Sequence, residues 1–152
     1  MIDVKTCFTY AYSAGTYADF YQAITTDAAS TNIINLDAAG IRIASGSKSP
    51  WLKVRVGAAD TGSVSVEMFL ETDSASGFAT TKRQLKMWRF LQAQMTAGKL
   101  LINEPLGNWK YQQYMRMYFN VYTSAVSLTV CAYLAAGPDS AETDIDLVEA
   151  GS

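Results

Sequence analysis

The sequence predicts an all-β chain: an antiparallel β-sandwich of jelly-roll type with about eight strands and extended terminal segments. Two observations carry this. Apolar residues recur at every second position in four separate segments, and clusters of Gly, Pro, Asp and Ser fall between them. A period of two sends alternate side chains to opposite faces of a strand, so each sheet buries one face.

Residues 1–27 read as an N-terminal aromatic arm or insertion. Phe8, Tyr10, Tyr12, Tyr17, Phe20 and Tyr21 are set among small and polar residues there, with no regular alternation. A sandwich spans residues 28–136. Residues 33–36 and 41–44 are short strand candidates. Ser45, Gly46, Ser47, Ser49 and Pro50 then form a turn. Leu52, Val54 and Val56 alternate with Trp51, Lys53 and Arg55. After the Asp60–Gly62 turn signal, Val64, Val66, Met68 and Leu70 alternate with Ser65, Glu67, Phe69 and Glu71. Residues 78–81 form another short candidate.

Residues 82–95 are ambiguous. Met87, Leu91 and Met95 repeat at helical spacing beside Phe90, yet both flanks read as sheet, which favours a strand. Residues 100–103 are a further short candidate. Met115, Met117, Phe119 and Val121 alternate with Tyr114, Arg116, Tyr118 and Asn120. Val126, Leu128, Val130, Ala132 and Leu134 form the last apolar set. Gly137 and Pro138 stop that strand, and residues 137–152 read as an acidic tail holding five of the fourteen Asp and Glu.

Composition excludes several functions. The chain has no His, so a Ser-His-Asp triad, a Cys-His pair and His metal ligands are all excluded. Two Cys cannot build a four-cysteine zinc or iron–sulfur site. Cys7 and Cys131 are expected as free thiols in a reducing cytoplasm rather than as a disulfide. The net charge of −2 does not suit a nucleic-acid binder, and no run approaches a membrane span. No enzyme activity, metal or cofactor is expected.

Other constellations have plainer readings. Glu67 and Glu71 lie about 13 Å apart on one strand face. Glycosidase carboxylates stand about 5 to 9.5 Å apart. A solvated face therefore explains the pair better. Glu142, Asp144 and Asp146 lack the glycine turn of a calcium loop. Lys82, Arg83, Lys86 and Arg89 around Trp88 suit an edge strand guarded against aggregation, or a protein contact, better than a phosphate backbone. Trp51, Trp88 and Trp109 raise the alternative of a carbohydrate-binding β-sandwich, using Trp88 or Trp109.

The strand faces opposite the aliphatic sets are more informative. They carry Trp51, Phe69, Tyr114, Tyr118, Tyr122 and Tyr133, a heavy aromatic load for surfaces that meet only water. This predicts a protein that assembles with itself or with another shell.

Several stretches resemble the capsid cement (decoration) proteins of tailed bacteriophages, the family typified by the Bordetella phage cement protein. They are residues 28–40, Trp51-Leu52-Lys53-Val54-Arg55-Val56, Ser65-Val66-Glu67-Met68-Phe69-Leu70-Glu71-Thr72-Asp73 followed by Gly77-Phe78, Gln113-Tyr114-Met115-Arg116-Met117-Tyr118-Phe119, and Ser127-Leu128-Thr129-Val130. The resemblance covers most of residues 28–134 and is one of strand patterns. Residues 10–27 and the tail depart from it. It implies a jelly roll that trimerises on the outside of the assembled phage head, bridges major capsid subunits, and has no cofactor and no catalysis. The expected partners are the major capsid protein and the chain itself, with no nucleic acid and no membrane. The expected location is the virion, after synthesis in the host cytoplasm. Phe8, Tyr10, Tyr12, Tyr17, Phe20 and Tyr21 are expected in arm or inter-subunit contacts. Trp51, Tyr114, Arg116, Tyr118 and Tyr122 are expected in an outer-sheet interface, where Arg116 would pair with a carboxylate or stack on a Tyr.

Overall fold

The structure, a computed structural model, describes residues 6–11, 20–41, 49–79, 81–123, 125 and 127–137. Those residues form nine strands: β1 (Gln22–Ala23), β2 (Ala28–Ala29), β3 (Ile34–Asn35), β4 (Trp51–Val56), β5 (Ser65–Asp73), β6 (Arg83–Leu91), β7 (Leu100–Pro105), β8 (Tyr114–Tyr122) and β9 (Thr129–Ala135). They build two antiparallel sheets. Sheet I has the order β1-β9-β4-β7. Sheet II has the order β2-β8-β5-β6, with β3 also paired to β8. Every connection except β2–β3 and the β5–β6 hairpin crosses from one sheet to the other, which is the winding of a jelly roll.

The predicted alternation fixes the core. Leu52, Val54 and Val56 of β4, Val66, Met68 and Leu70 of β5, Met115, Met117 and Phe119 of β8, and Val130, Ala132 and Leu134 of β9 are all buried between the sheets. A one-residue slip in any of these strands would turn its whole apolar set outward, so the register is strongly specified.

Three expectations need correction. Residues 78–81 are not a strand. Phe78 has φ of 51°, a left-handed conformation that ends a tight turn, and its amide donates to the Ala75 carbonyl at 3.2 Å. Residues 82–95 are a strand only as far as Leu91, followed by a 3-10 turn at Gln92–Gln94. The sandwich also begins before residue 28. Cys7 bridges Tyr133, the Phe8 amide donates to the Ala132 carbonyl at 2.8 Å, and β1 pairs with β9. Of the candidate at 41–44, Ile41 lies outside any strand, and residues 42–44 lie outside the described residues, as do Val126 and the acidic tail beyond Gly137.

One flank of the sandwich has broken edges. In sheet I the edge beside β9 consists of Cys7–Phe8 and then β1. In sheet II the edge beside β8 consists of β2 and then β3. Side chains fill the gaps. Thr9 Oγ1 accepts from the Ala132 amide at 2.9 Å and donates to the Phe20 carbonyl at 2.7 Å. Ser30 Oγ accepts from the Met117 amide at 3.1 Å. Gln22 and Asn32 then join the two edges. Gln22 Nε2 donates to the Ala29 carbonyl at 2.9 Å, and Asn32 Nδ2 donates to the Cys7 carbonyl at 2.8 Å. On the opposite flank β6 and β7 are continuous. Lys86 of β6 pairs with Glu104 of β7, and Trp88 Nε1 donates to the same carboxylate at 3.1 Å.

The loops at one end converge on Asp60, which is buried. Its carboxylate accepts from the Gly62 amide at 3.0 Å and the Ser127 amide at 2.9 Å, and its carbonyl accepts from Gln92 at 3.0 Å.

Candidate functional site

The two sheets present very different outer faces. The outer face of sheet I carries Cys131 and Tyr133 of β9, and it is covered from within the chain. Cys7, Phe20, Cys131 and Tyr133 form a second buried cluster, with Tyr10 and Tyr21 packed against it. The Tyr10 and Phe20 rings stand 5.1 Å apart at 49°. Tyr21 packs against Gly57, where even a methyl group would come within 2.6 Å of the ring.

Both thiols are free. The hydrogen bond between them lowers the pKa of Cys7 and raises that of Cys131, whose burial adds to the rise.

This cover revises the role of the N-terminal aromatics. Phe8 is buried in the sandwich core, and Phe20 in the second cluster. Their apolar surface is satisfied inside the chain, so neither is free for a partner. Tyr10 and Tyr21 are half-buried in the same cover, while Tyr12 and Tyr17 lie outside the described residues.

The outer face of sheet II is open along β6 and at its Leu91–Tyr122 end, while Phe69, Glu71 and Asp73 of β5 are buried within it. Strand register sets its side chains in rows across β6, β5 and β8. The first row is Leu91, Ser65 and Tyr122. Arg89, Glu67 and Asn120 make the second, and Met87, Phe69 and Tyr118 the third. Gln84, Glu71 and Arg116 follow, and Tyr114 lies beside Asp73 at the end. Rows one and three are mainly apolar or aromatic, and rows two and four hold charges.

Those charges are neutralised within the face. Arg89 lies 3.9 Å from Glu67 and its guanidinium 5.4 Å from the Tyr122 ring. Tyr122 Oη donates to Glu67 at 2.9 Å, and that bond raises the phenol pKa. Arg116 Nε donates to Glu71 at 2.7 Å, and Lys82 Nζ approaches the other carboxylate oxygen at 3.8 Å. The guanidinium of Arg116 also sits 4.3 Å from the Phe78 ring and 5.5 Å from the Tyr118 ring. Arg116 therefore both pairs with a carboxylate and stacks on a Tyr, inside its own chain.

Among the described residues, the large hydrophobic residues that remain exposed are Met87 (50%), Leu91 (57%) and Tyr122 (45%), and all three belong to this face. Burying charge at an interface is costly unless it is already paired. A face whose carboxylates and guanidinium groups satisfy one another, beside exposed Met87, Leu91 and Tyr122, can lose water without leaving orphaned charges.

The expected interface residues thus divide. Tyr114, Arg116, Tyr118 and Tyr122 share the outer face of sheet II. Trp51 lies at the start of β4, on sheet I, beside Ala135 and Pro105, and so belongs to the other side of the molecule. Met87, Arg89 and Leu91 were missing from the expected set. Their signal was the alternation of 87, 89 and 91 within β6, which became readable only with the register against β5.

The other constellations resolve into structure. Glu67 and Glu71 are each tied to a cation. Trp88 is held by Glu104, and Trp109 packs near Tyr111 with ring centroids 6.1 Å apart and covers Gly107. Trp51 lies on β4 of sheet I, Trp88 on β6 of sheet II, and Trp109 in the loop after β7. Among the described residues, no three Cys, Asp or Glu converge in a way that could hold a metal ion, and no helix is long and apolar enough to cross a membrane.

A search of curated proteins returned no match. A protein family does match, over residues 19–135, a span that begins just before β1 and ends with the last residue of β9. With that span covering most of the chain and every described strand, this jelly roll belongs to the Bbp16 family, a Bordetella phage protein family.

Proposed function

We propose that the protein is a capsid cement, or decoration, protein. It binds the outside of the assembled phage head as a homotrimer and stabilises the head by bridging major capsid subunits. The observation that carries this reading is the outer face of sheet II. There Met87 stands exposed between the neutralised pairs Glu67–Arg89 and Glu71–Arg116, and Leu91 and Tyr122 stand exposed on the other side of the first pair. Tyr and Arg are the residues most enriched among binding hot spots. Membership of a bacteriophage family supports a partner made by the phage.

The mechanism is mass action. A protein that binds only the assembled lattice shifts the equilibrium away from dissociated subunits. Trimerisation makes each further contact effectively intramolecular, so modest individual contacts add up to slow release. The role is mechanical and needs no bond-breaking step.

The test mixes the purified protein with undecorated heads. Saturable co-sedimentation, a rise in the temperature at which heads rupture, and a trimeric solution mass are expected. Absence of binding with unchanged rupture temperature would overturn the proposal.

A further inference from the structure

The chain has two cysteines, and the fold brings them together. Cys7 and Cys131 stand near opposite ends of the sequence, yet both are fully buried in one small cluster with Phe20 and Tyr133. The register explains how. Cys7 bridges Tyr133, and the Phe8 amide bonds to the Ala132 carbonyl, so the next pair sets Thr9 opposite Cys131. Cys7 and Cys131 are then diagonal neighbours on the outer face of sheet I. Cys7 Sγ donates to the Ala132 carbonyl at 3.5 Å and lies 3.7 Å from Thr9 Oγ1. The Cys131 thiol donates in turn to Cys7 Sγ, so the two sulfurs meet. Arg55 stands opposite Cys131 on β4, and its charge favours a thiolate there.

The pair also sits where the sandwich is built from short pieces. Cys7–Phe8 is part of the broken edge beside β9. That piece carries Phe8 into the core and leads to Tyr10, which helps to cover the outer face of sheet I. Short edge pieces open more readily than long central strands.

We propose that Cys7 and Cys131 close to a disulfide when a small-molecule disulfide is supplied, and that the bond fastens the N-terminal edge to β9. Opening of the edge admits the reagent, since both sulfurs are shielded in the closed form. The Cys7 thiolate, stabilised by its hydrogen bonds from Cys131 and Thr9, attacks one sulfur of the reagent. The reagent's S–S bond breaks, and one small thiol leaves with the Cys7 proton. The Cys131 thiolate then attacks Cys7 Sγ, and the second small thiol leaves with the Cys131 proton. Two protein thiols lose two electrons, and one reagent disulfide gains them. The bond closes a ring of about 125 residues, and a ring of that length restricts the unfolded chain strongly. In a reducing cytoplasm glutathione holds the pair open. The chemistry concerns this chain alone and does not rest on the cement reading.

The test uses the full-length protein and its Cys7→Ser variant, both purified with reductant. Each is equilibrated in mixtures of reduced and oxidised glutathione, quenched with acid, and then alkylated with N-ethylmaleimide in denaturant. A parallel series contains dilute urea, which speeds opening of the edge, so that burial alone does not protect the thiols. Intact mass and a melting curve are read for each mixture. In oxidised glutathione the wild type should take up no alkylating agent and weigh about 2 Da less than the reduced chain. It should also melt about 5 to 10 °C higher. Cys7→Ser should melt alike in both buffers. Two alkylatable thiols at the oxidising end of both series would overturn the proposal. Stable glutathione adducts or disulfide-linked dimers in place of the internal bond would overturn it too. An oxidised wild type that melts no higher than the reduced one would show that the bond does not fasten the edge.

Discussion

Arg116 Nε donates to Glu71 Oε2 at 2.7 Å, and Glu71 is only 1% exposed although it sits on an outer strand face. The carboxylate is hidden by Arg116 and by the turn that carries Phe78, whose ring lies 4.3 Å from the guanidinium. A surface position thus behaves electrostatically like an interior one, and its partner is compulsory.

Replacing Arg116 with Met should therefore destabilise the fold by about 3 kcal/mol, the lower end for an orphaned buried charge, because Lys82 remains nearby. The double variant with Glu71→Gln should recover part of that loss. Urea denaturation of both variants checks this, and a near-zero effect for Arg116→Met would remove the argument.

Acid should act through Asp73. The hydroxyl of Thr81 donates to its carboxylate at 2.6 Å and the Ala75 amide at 3.0 Å, and together they hold its pKa below the ordinary aspartate range despite burial. A lowered folded pKa contributes stability that is present above the unfolded value of about 3.9 and is lost as pH falls through the folded value. Denaturation midpoints taken down to strongly acid pH should fall in the wild type. They should fall less steeply in Asp73→Asn.

Met87, Leu91 and Tyr122 should matter for binding and little for folding. Changing all three to Ser removes exposed side chains and one exposed hydrogen bond, so stability should move by no more than about 2 kcal/mol. Affinity for heads should drop by about 100-fold or more if these are anchor residues. Retained affinity would move the interface off sheet II.

Phe8 offers the converse test. It is fully buried in the core, so Phe8→Ala should cost about 3 to 5 kcal/mol. A residue in a free arm would cost almost nothing, and a melting curve distinguishes the two.

The long strands were legible because each buries one face over six or more residues, enough for a period of two to appear. β1 and β2 were not, because two residues cannot display a period. β6 was obscured at both ends, by a bulge near its start and by the 3-10 turn after Leu91. The register against β5 shifts between Leu70 and Glu71, which leaves Leu85 without a partner, so Gln84 and Met87 face the same way although three residues apart. The four-residue spacing itself arises because Met87 and Leu91 share the outer face of β6 and Met95 follows just beyond the 3-10 turn. The aromatic surplus was real, but composition does not say what covers an aromatic. For Phe8, Phe20 and Tyr133 the cover is the chain itself, and for Tyr122 it is not. Trp51 and Tyr118 look alike as outward-facing aromatics, and only the sheet order separates them onto opposite sides.

The interrupted edges joined by Gln22 and Asn32 limit how copies can multiply by strand pairing. Fibrous growth needs two templates per molecule, one to receive a neighbour and one to pass the pattern on. Here, among the described residues, the flank of β1 to β3 offers only fragments two residues long, stitched together by side chains. A second molecule that docked along β6 or β7 would therefore leave only interrupted edges at the far sides of the pair. Such a jelly roll can be made in high copy number and held at high local concentration without seeding filaments.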